Sequence, residues 1–280
     1  MPDTFTRPAE SFTERTPRVV SASKLHRAAA RRKTGRFLAE GPNSVEAAIA
    51  AGAAVEVFAA EKAMSRHVDL LDDAVRAGIV VSAITDRAAA SLAETVTTAG
   101  LFAVCAADRV LREPGEVLDR ACDASASPAR MAVIAVGISD PGNAGTVIRM
   151  ADALGAAGVV FAGETVDPLG GKAVRSSAGS VFHVPVARTP DVAGTLAAAA
   201  ERGVVTLATA MDGDLVLGAD PLPAAPVAWL TGNEAHGLPD DVLAATDATV
   251  SIPMRGGAES LNLATAAAMC LWETARAPRG

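Results

Sequence analysis

Three short stretches in the second half of this 280-residue chain carry side chains that could do chemistry, each set among residues that let the backbone turn. The first is Asp140-Pro141-Gly142-Asn143-Ala144-Gly145-Thr146-Val147-Ile148-Arg149. Its Pro-Gly pair and second glycine permit a sharp departure from a strand, with an amide at Asn143 and a cation at Arg149 flanking the start of a helix. The second, Leu230-Thr231-Gly232-Asn233-Glu234-Ala235-His236-Gly237-Leu238-Pro239, brackets an Asn-Glu pair between two glycines, which suits close approach of backbone to a ligand. The third opens with Ile252-Pro253-Met254 and closes with Ser260-Leu261-Asn262. All three follow expected strands, and parallel sheets place their sites in the loops after strands. Each loop alone reads equally well as a helix start, with Asn143 as an N-cap beside an exposed Arg149, or Ser260 and Asn262 as caps.

Several familiar chemistries are excluded. No GxGxxG follows a strand, so a nicotinamide-type dinucleotide fold has no fingerprint. Gly170-Gly171-Lys172 hints at a phosphate loop, but Ala173 follows the lysine and the upstream glycine is missing. There is no HExxH and no GxSxG, and His26, His67, His183 and His236 have no ligand spacing, so no metal is expected. Cys105, Cys122 and Cys270 are far apart and odd in number, which fits core filling in a reducing compartment. Met1 to Glu10 has no apolar stretch of the kind a secretory leader needs. The apolar runs fall short of the roughly 20 residues that span a bilayer. A cytoplasmic protein is expected.

The elements that must position the loops follow from periodicity. Residues 1–17 carry three prolines among polar residues and are expected to be disordered; 18–107 alternate helical and extended periods as a small α/β domain; 108–130 read as a linker; and 131–280 form a second α/β domain. In the last of these, the continuous apolar run Met131–Ile138 marks a buried parallel strand. A helix is expected from Thr146, and a long one at the C-terminus from Asn262. Strands alternating with helices imply a mainly parallel sheet covered on both faces.

Net charge is −7, yet between Arg15 and Arg36 there are eight Lys or Arg residues and no acid, which leaves 17 basic against 32 acidic residues elsewhere. A local patch of this kind can bind RNA whatever the total charge, because counterion release depends on the phosphates it touches. Lys24, Arg27, Arg31, Arg32, Lys33 and Arg36 are the candidate contacts; a solvated basic helix face is the alternative.

Taken together, the three loops resemble the three motifs of the SpoU branch of the SPOUT superfamily, RNA 2′-O-ribose methyltransferases. Order and spacing match: Asn143 and Arg149 stand six apart, Gly232 precedes Ile252 by twenty, and Leu261 follows nine later. Lys172 to Gly179 resembles the family's second helix, while Ala235 and Leu263-Ala264 are small departures from its pattern. Lys33 to Gly41 and Thr98 to Val104 resemble the ribosomal-protein-like substrate-binding domain attached to many members. The resemblance implies a C-terminal trefoil-knotted, mainly parallel sheet preceded by a small α/β sandwich. It implies S-adenosylmethionine held by Thr231, Gly232, Asn233, Ile252 and Leu261, largely through backbone groups. It gives Arg149 the base role, with Asn143, Glu234, Ser260 and Asn262 holding it and the ribose. Because guanidinium stays protonated at ordinary pH, two versions stand: an RNA phosphate helps Arg149 accept the proton, or Arg149 polarises the hydroxyl while another acceptor takes it. Homodimers are implied, with the apolar C-terminal helix as an interface element. The expected substrate is ribosomal RNA, with transfer RNA or a non-catalytic role in ribosome assembly as alternatives.

Overall fold

The computed structural model describes residues 4–123 and 130–276. Met1 to Asp3 of the expected disordered segment, 124–129 of the expected linker and the last residues, 277–280, lie outside them. The chain divides into two compact units, Met1–Val110 with Leu169–His183, and Leu111–Pro168 with Val184–Gly280.

In the first unit α1 (Pro17–Ser23) and a 3-10 turn lead to α2 (Ala28–Thr34), β1 (Arg36–Glu40), α3 (Pro42–Ala50) and β2 (Ala54–Ala60). After these come α4 (Glu61–Arg66), α5 (Val68–Arg76), β3 (Val80–Ile84), α6 (Asp86–Leu92) and β4 (Leu101–Ala106). The sheet order is β1-β4-β2-β3, with β4 antiparallel to both neighbours and β2 parallel to β3. Phe58 and Phe102 face each other across β2 and β4 and build a core with Val19, Leu25, Ile84 and Leu92. Two details differ from the sequence expectation. Thr4 to Thr16 has a defined path, because Phe12, apolar in a polar stretch, pairs with β3: its N–H donates to Ala83 and its carbonyl accepts from Thr85, at 2.8 and 2.9 Å. The basic helix face that Lys24 to Lys33 could form is interrupted at Arg27, which is extended. The carbonyls this break leaves at Leu25 and His26 accept from the Arg31 guanidinium at 2.8 and 3.0 Å.

The second unit begins inside the expected linker, with β5 (Leu111–Arg112) and α7 (Pro114–Cys122). Pro114 opens α7, the Glu116 carboxylate accepts from the Glu113 N–H at 3.2 Å, and Val117, Leu118 and Ala121 are buried against the sheet. These residues therefore belong to the folded unit rather than to a connection. Then follow β6 (Met131–Val136), α8 (Pro141–Ala153) and β7 (Val159–Ala162). The chain next supplies α9 (Gly171–Ser176) to the first unit, where it packs on β1. There Arg175 pairs with Glu94 at 2.9 Å and Glu40 at 3.4 Å, and Phe182 stacks on Phe37. The chain resumes with β8 (Val186–Thr189), α10 (Val192–Glu201), β9 (Val205–Thr209), β10 (Leu215–Val216) and β11 (Val227–Thr231), and ends with α11 (Asp240–Ala244), β12 (Ala248–Ser251) and α12 (Leu263–Arg276).

The eight strands are parallel, in the order β10-β12-β9-β11-β6-β7-β8-β5. Every residue of β6 and of β11 is buried, as strands covered on both faces require. From β6 the chain moves outward through β7 and β8, while β9, β11 and β12 lie on its other side. The carboxyl ends of β6 and β11 thus flank a switch point, where open parallel sheets hold their ligands. α12 comes back from the outer strand β12 to pack on α8 and β11, with the Trp229 indole N–H donating to Thr274 at 2.8 Å.

Candidate active site

The loop after β6 is organised by Asp140. Pro141 occupies the first helical turn, and the Asp140 carboxylate accepts from the Asn143 N–H at 2.9 Å, so α8 starts five residues before Thr146. Asn143 is therefore inside the helix and not its cap, and its side chain is released for other contacts.

Those contacts lead to Glu234. One carboxylate oxygen accepts from the Ser139 N–H and hydroxyl at 3.1 and 2.9 Å; the other accepts from the Asp140 N–H at 3.1 Å and the Asn143 amide at 3.0 Å. The Asn143 carbonyl oxygen in turn accepts from the Asn262 amide at 3.0 Å, and the Asn262 oxygen caps α12 by accepting from Ala264 and Thr265. Three residues expected from sequence, Asn143, Glu234 and Asn262, thereby join the loop after β11, the start of α8 and the start of α12. Burial acts to raise the Glu234 carboxyl, but the Asn143 amide and the backbone N–H donors outweigh it and hold it down to about 2. At neutral pH it is an ionised, fully engaged acceptor.

The loop carrying Glu234 is braced by local hydrogen bonds. Asn233 and Gly237 exchange backbone hydrogen bonds at 2.9 Å, and the Asn233 side chain accepts from Ala235 and donates to the Gly137 carbonyl at 2.8 Å. Gly237 has φ +69°, and a Cβ on Gly232 would overlap the Gly237 and Leu238 backbone. Both glycines are thus required by geometry.

Arg149 and Ser260 do not join this network. Both are exposed, and among the described residues neither side chain makes a hydrogen bond or ion pair. Arg149 stands six residues beyond Asn143, about 9 Å along the helix, with a side chain that leans back toward the helix N-terminus. Of the candidate ligand residues, Thr231 ends β11 with its hydroxyl buried and unpartnered, while Ile252 and Leu261 are half-buried at either end of the loop joining β12 to α12. An unpaired hydroxyl and two apolar side chains suit a ligand without phosphates. Among the described residues no group of three His, Cys, Asp or Glu side chains is placed to hold a metal.

Sequence reasoning missed Ser139, Asp140 and Gly137. The Asp-Pro pair at 140–141 is a helix-start signal that could have located Asp140; Ser139 and Gly137 act mainly through backbone groups and leave no residue-type signal. Of the basic candidates, Lys24, Arg27, Arg32 and Lys33 are exposed, Arg36 is half-buried in β1, and Arg31 is committed to the Leu25 and His26 carbonyls.

A parallel sheet with a carboxylate-organised site at its switch point is the scaffold of a known class of enzyme. Residues 130–272 match the SpoU rRNA Methylase family, and residues 16–103 match the MRM3-like substrate binding domain. The 23S rRNA (guanosine(2553)-2'-O)-methyltransferase RlmP of Bacillus subtilis is 34% identical over 251 residues, 89% of this chain and 92% of its own. An AdoMet-bound rRNA methyltransferase from Sinorhizobium meliloti superposes with a TM-score of 0.81 at 28% identity, covering 95% of this chain and 97% of that one. AviRb from Streptomyces viridochromogenes, in complex with AdoMet, gives 0.76 at 28% identity, covering 93% and 98%. The chain belongs to the SpoU rRNA methylase family.

Proposed function

We propose that the chain transfers a methyl group from S-adenosylmethionine to a ribose 2′-hydroxyl of 23S ribosomal RNA. The observation that carries this reading is the Glu234–Asn143–Asn262 network at the switch point, in a chain whose full-length relative is named for that reaction. Bound S-adenosylmethionine supplies a methyl group on a positively charged sulfur. Thr231, Gly232, Asn233, Ile252 and Leu261 would hold it, through backbone and apolar contacts and the unpartnered Thr231 hydroxyl. The C–S bond breaks as the C–O bond forms, and the 2′ proton must leave.

Glu234 is poorly suited to take that proton, because its lone pairs are engaged and its acidity is that of a strong carboxylic acid. Its work is to fix Asn143 and the α8 start, and so the base of Arg149. Arg149, whose side chain has no internal partner among the described residues, polarises the 2′-oxygen and orients the adjacent phosphate, and the proton leaves to solvent as the C–O bond forms. A guanidinium is unsuited to being the base itself, and a phosphodiester is a weaker base than Glu234. Ser260 is close in sequence to Asn262 and contacts the ribose.

Lys24, Arg27, Arg32 and Lys33 bind RNA phosphates from the first unit, with Arg36 at the patch edge and Arg31 bracing it. The return of α12 from β12 to β11 supports the knotted path. A homodimer is supported by α12, whose outward stripe of Thr265, Met269 and Trp272 leaves the tryptophan 60% exposed. Free cysteines fit the cytoplasm.

The test is incubation with radiolabelled S-adenosylmethionine and unmodified 23S ribosomal RNA or transfer RNA, with Arg149→Ala as control. Label in ribosomal RNA that the variant loses, while its melting temperature and donor binding persist, is the expected result. A variant that still turns over removes Arg149 from catalysis, and a wild type that binds no donor is an RNA-binding protein instead.

A further inference from the structure

The loop from Pro253 to Ser260 is tied down only at its two ends. Before it, the Ser251 hydroxyl donates to the Leu215 carbonyl at 3.2 Å; after it, Asn262 is fixed to Asn143 and caps α12. From Pro253 to Ser260 every residue is exposed, and none of them makes a hydrogen bond or ion pair with another described residue. Gly256 and Gly257 have open space around them, so the backbone can rearrange without a steric penalty. The loop carries one cation, Arg255.

Three arginines of this unit are committed, Arg188 to the Thr165 carbonyl, Arg202 to Asp119 and Arg276 to Glu273. Two more without a side-chain partner among the described residues stand away from the site loops, Arg120 in the last turn of α7 and Arg130 just before the start of β6. Arg149 and Arg255 have no such partner, and both stand on segments that converge on Asn143 and Asn262. An unpaired arginine on a loop held at both ends adds nothing to folding. Its planar fork of donors matches a phosphate well. A target ribose in a polynucleotide has a phosphate on each side, so two uncommitted guanidinium groups meet a substrate with two anions.

We infer that Arg255 is a substrate contact, gripping the RNA phosphate on the side of the target ribose away from Arg149, on a loop that folds over the RNA as it binds. The contact rests on the functional reading above, and it assigns to Arg255 a role in RNA affinity that is separate from donor binding. Because the loop is not packed in the free protein, the residue contributes to substrate recognition rather than to the fold.

The experiment compares the full-length wild type with Arg255→Gln and Arg255→Lys. It measures binding to transcribed 23S ribosomal RNA over a salt series, steady-state transfer, donor binding by calorimetry, and thermal melting. Arg255→Gln is expected to raise KM for RNA about tenfold and to lower the salt slope by about one, with donor affinity and melting temperature unchanged. Arg255→Lys is expected to restore the slope and only part of the affinity, since a point charge replaces a fork. Wild-type RNA affinity and slope in Arg255→Gln would overturn the contact while leaving the activity standing. Loss of donor binding in that variant would overturn it too, by making the residue part of the donor site. A wild type that neither binds donor nor methylates RNA would remove the functional reading and this contact together.

Discussion

Glu234 concentrates the residue-scale argument, because one carboxylate receives four donors from three other residues. Its folded pKa of about 2 lies below the ordinary 4.5. The stabilisation it gives is therefore complete above the ordinary value and is lost as pH falls from there toward 2. Over about pH 6 to 9 the residue does not titrate, so any inflection in the rate profile there belongs to another group. Glu234→Gln is expected to slow transfer by at least about tenfold without moving that profile, since an amide keeps one acceptor and turns a donor toward the Ser139 or Asp140 N–H. A variant with wild-type rate, or with a displaced profile, would contradict this role. The residues of this network were readable to different degrees. Asn143, Glu234 and Asn262 stand out as polar types within glycine-rich loops, whereas Gly137 serves through a main-chain carbonyl that every residue has, and Ser139 adds a hydroxyl to a main-chain donor in a segment with no other mark. Arg31 is expected as an RNA contact from its place in the basic run, and its use by the Leu25 and His26 carbonyls depends on a helix break that no pattern announces.

At the scale of elements, the strands that carry the site were the most legible. β6 and β11 are buried on both faces and appear in sequence as unbroken apolar runs. β5 and β10, two residues each, are too short to form any pattern, and they exist because a neighbouring strand offers an open edge. The early start of α8 follows from Asp140 and Pro141, which outweigh the two glycines that suggested a loop. The C-terminal helix has two characters. Ala264, Ala267, Cys270 and Leu271 are buried, while Met269 and Trp272 are 41% and 60% exposed on the other side. An exposed tryptophan one helical turn from an exposed methionine is the composition of an interface centre. Trp272→Glu is expected to shift the sedimentation equilibrium mass to that of a single chain with the helical circular dichroism retained. A wild type that already sediments as one chain would refute the dimer.

For the molecule as a whole, the two-unit organisation was legible from alternating periods and the proline-bearing stretch between them, but the exchange of α9 was not. Residues 169–183 lie within the span of the methylase family match and yet pack in the first unit, through Ala173 and Val174, the Phe182–Phe37 stack and the Arg175 ion pairs. Nothing in the local pattern of a short amphipathic helix tells which sheet it will cover. A fragment ending at Val110 is expected to melt without a sharp transition, and to regain one when residues 169–183 are fused to it through a flexible tether. A sharp transition in the fragment alone would mean that α9 is dispensable there. The same exchange sets an order of events during synthesis. Domains ordinarily close as they leave the ribosome, at about 5–20 residues per second. Here the first unit must wait for the 73 residues from Val110 to His183, roughly 4–15 seconds at those rates. During that interval β1 and Phe37 lack their cover, so the nascent chain passes through a state in which the unit that matches the substrate binding domain is sticky, and slower translation after Val110 would prolong it.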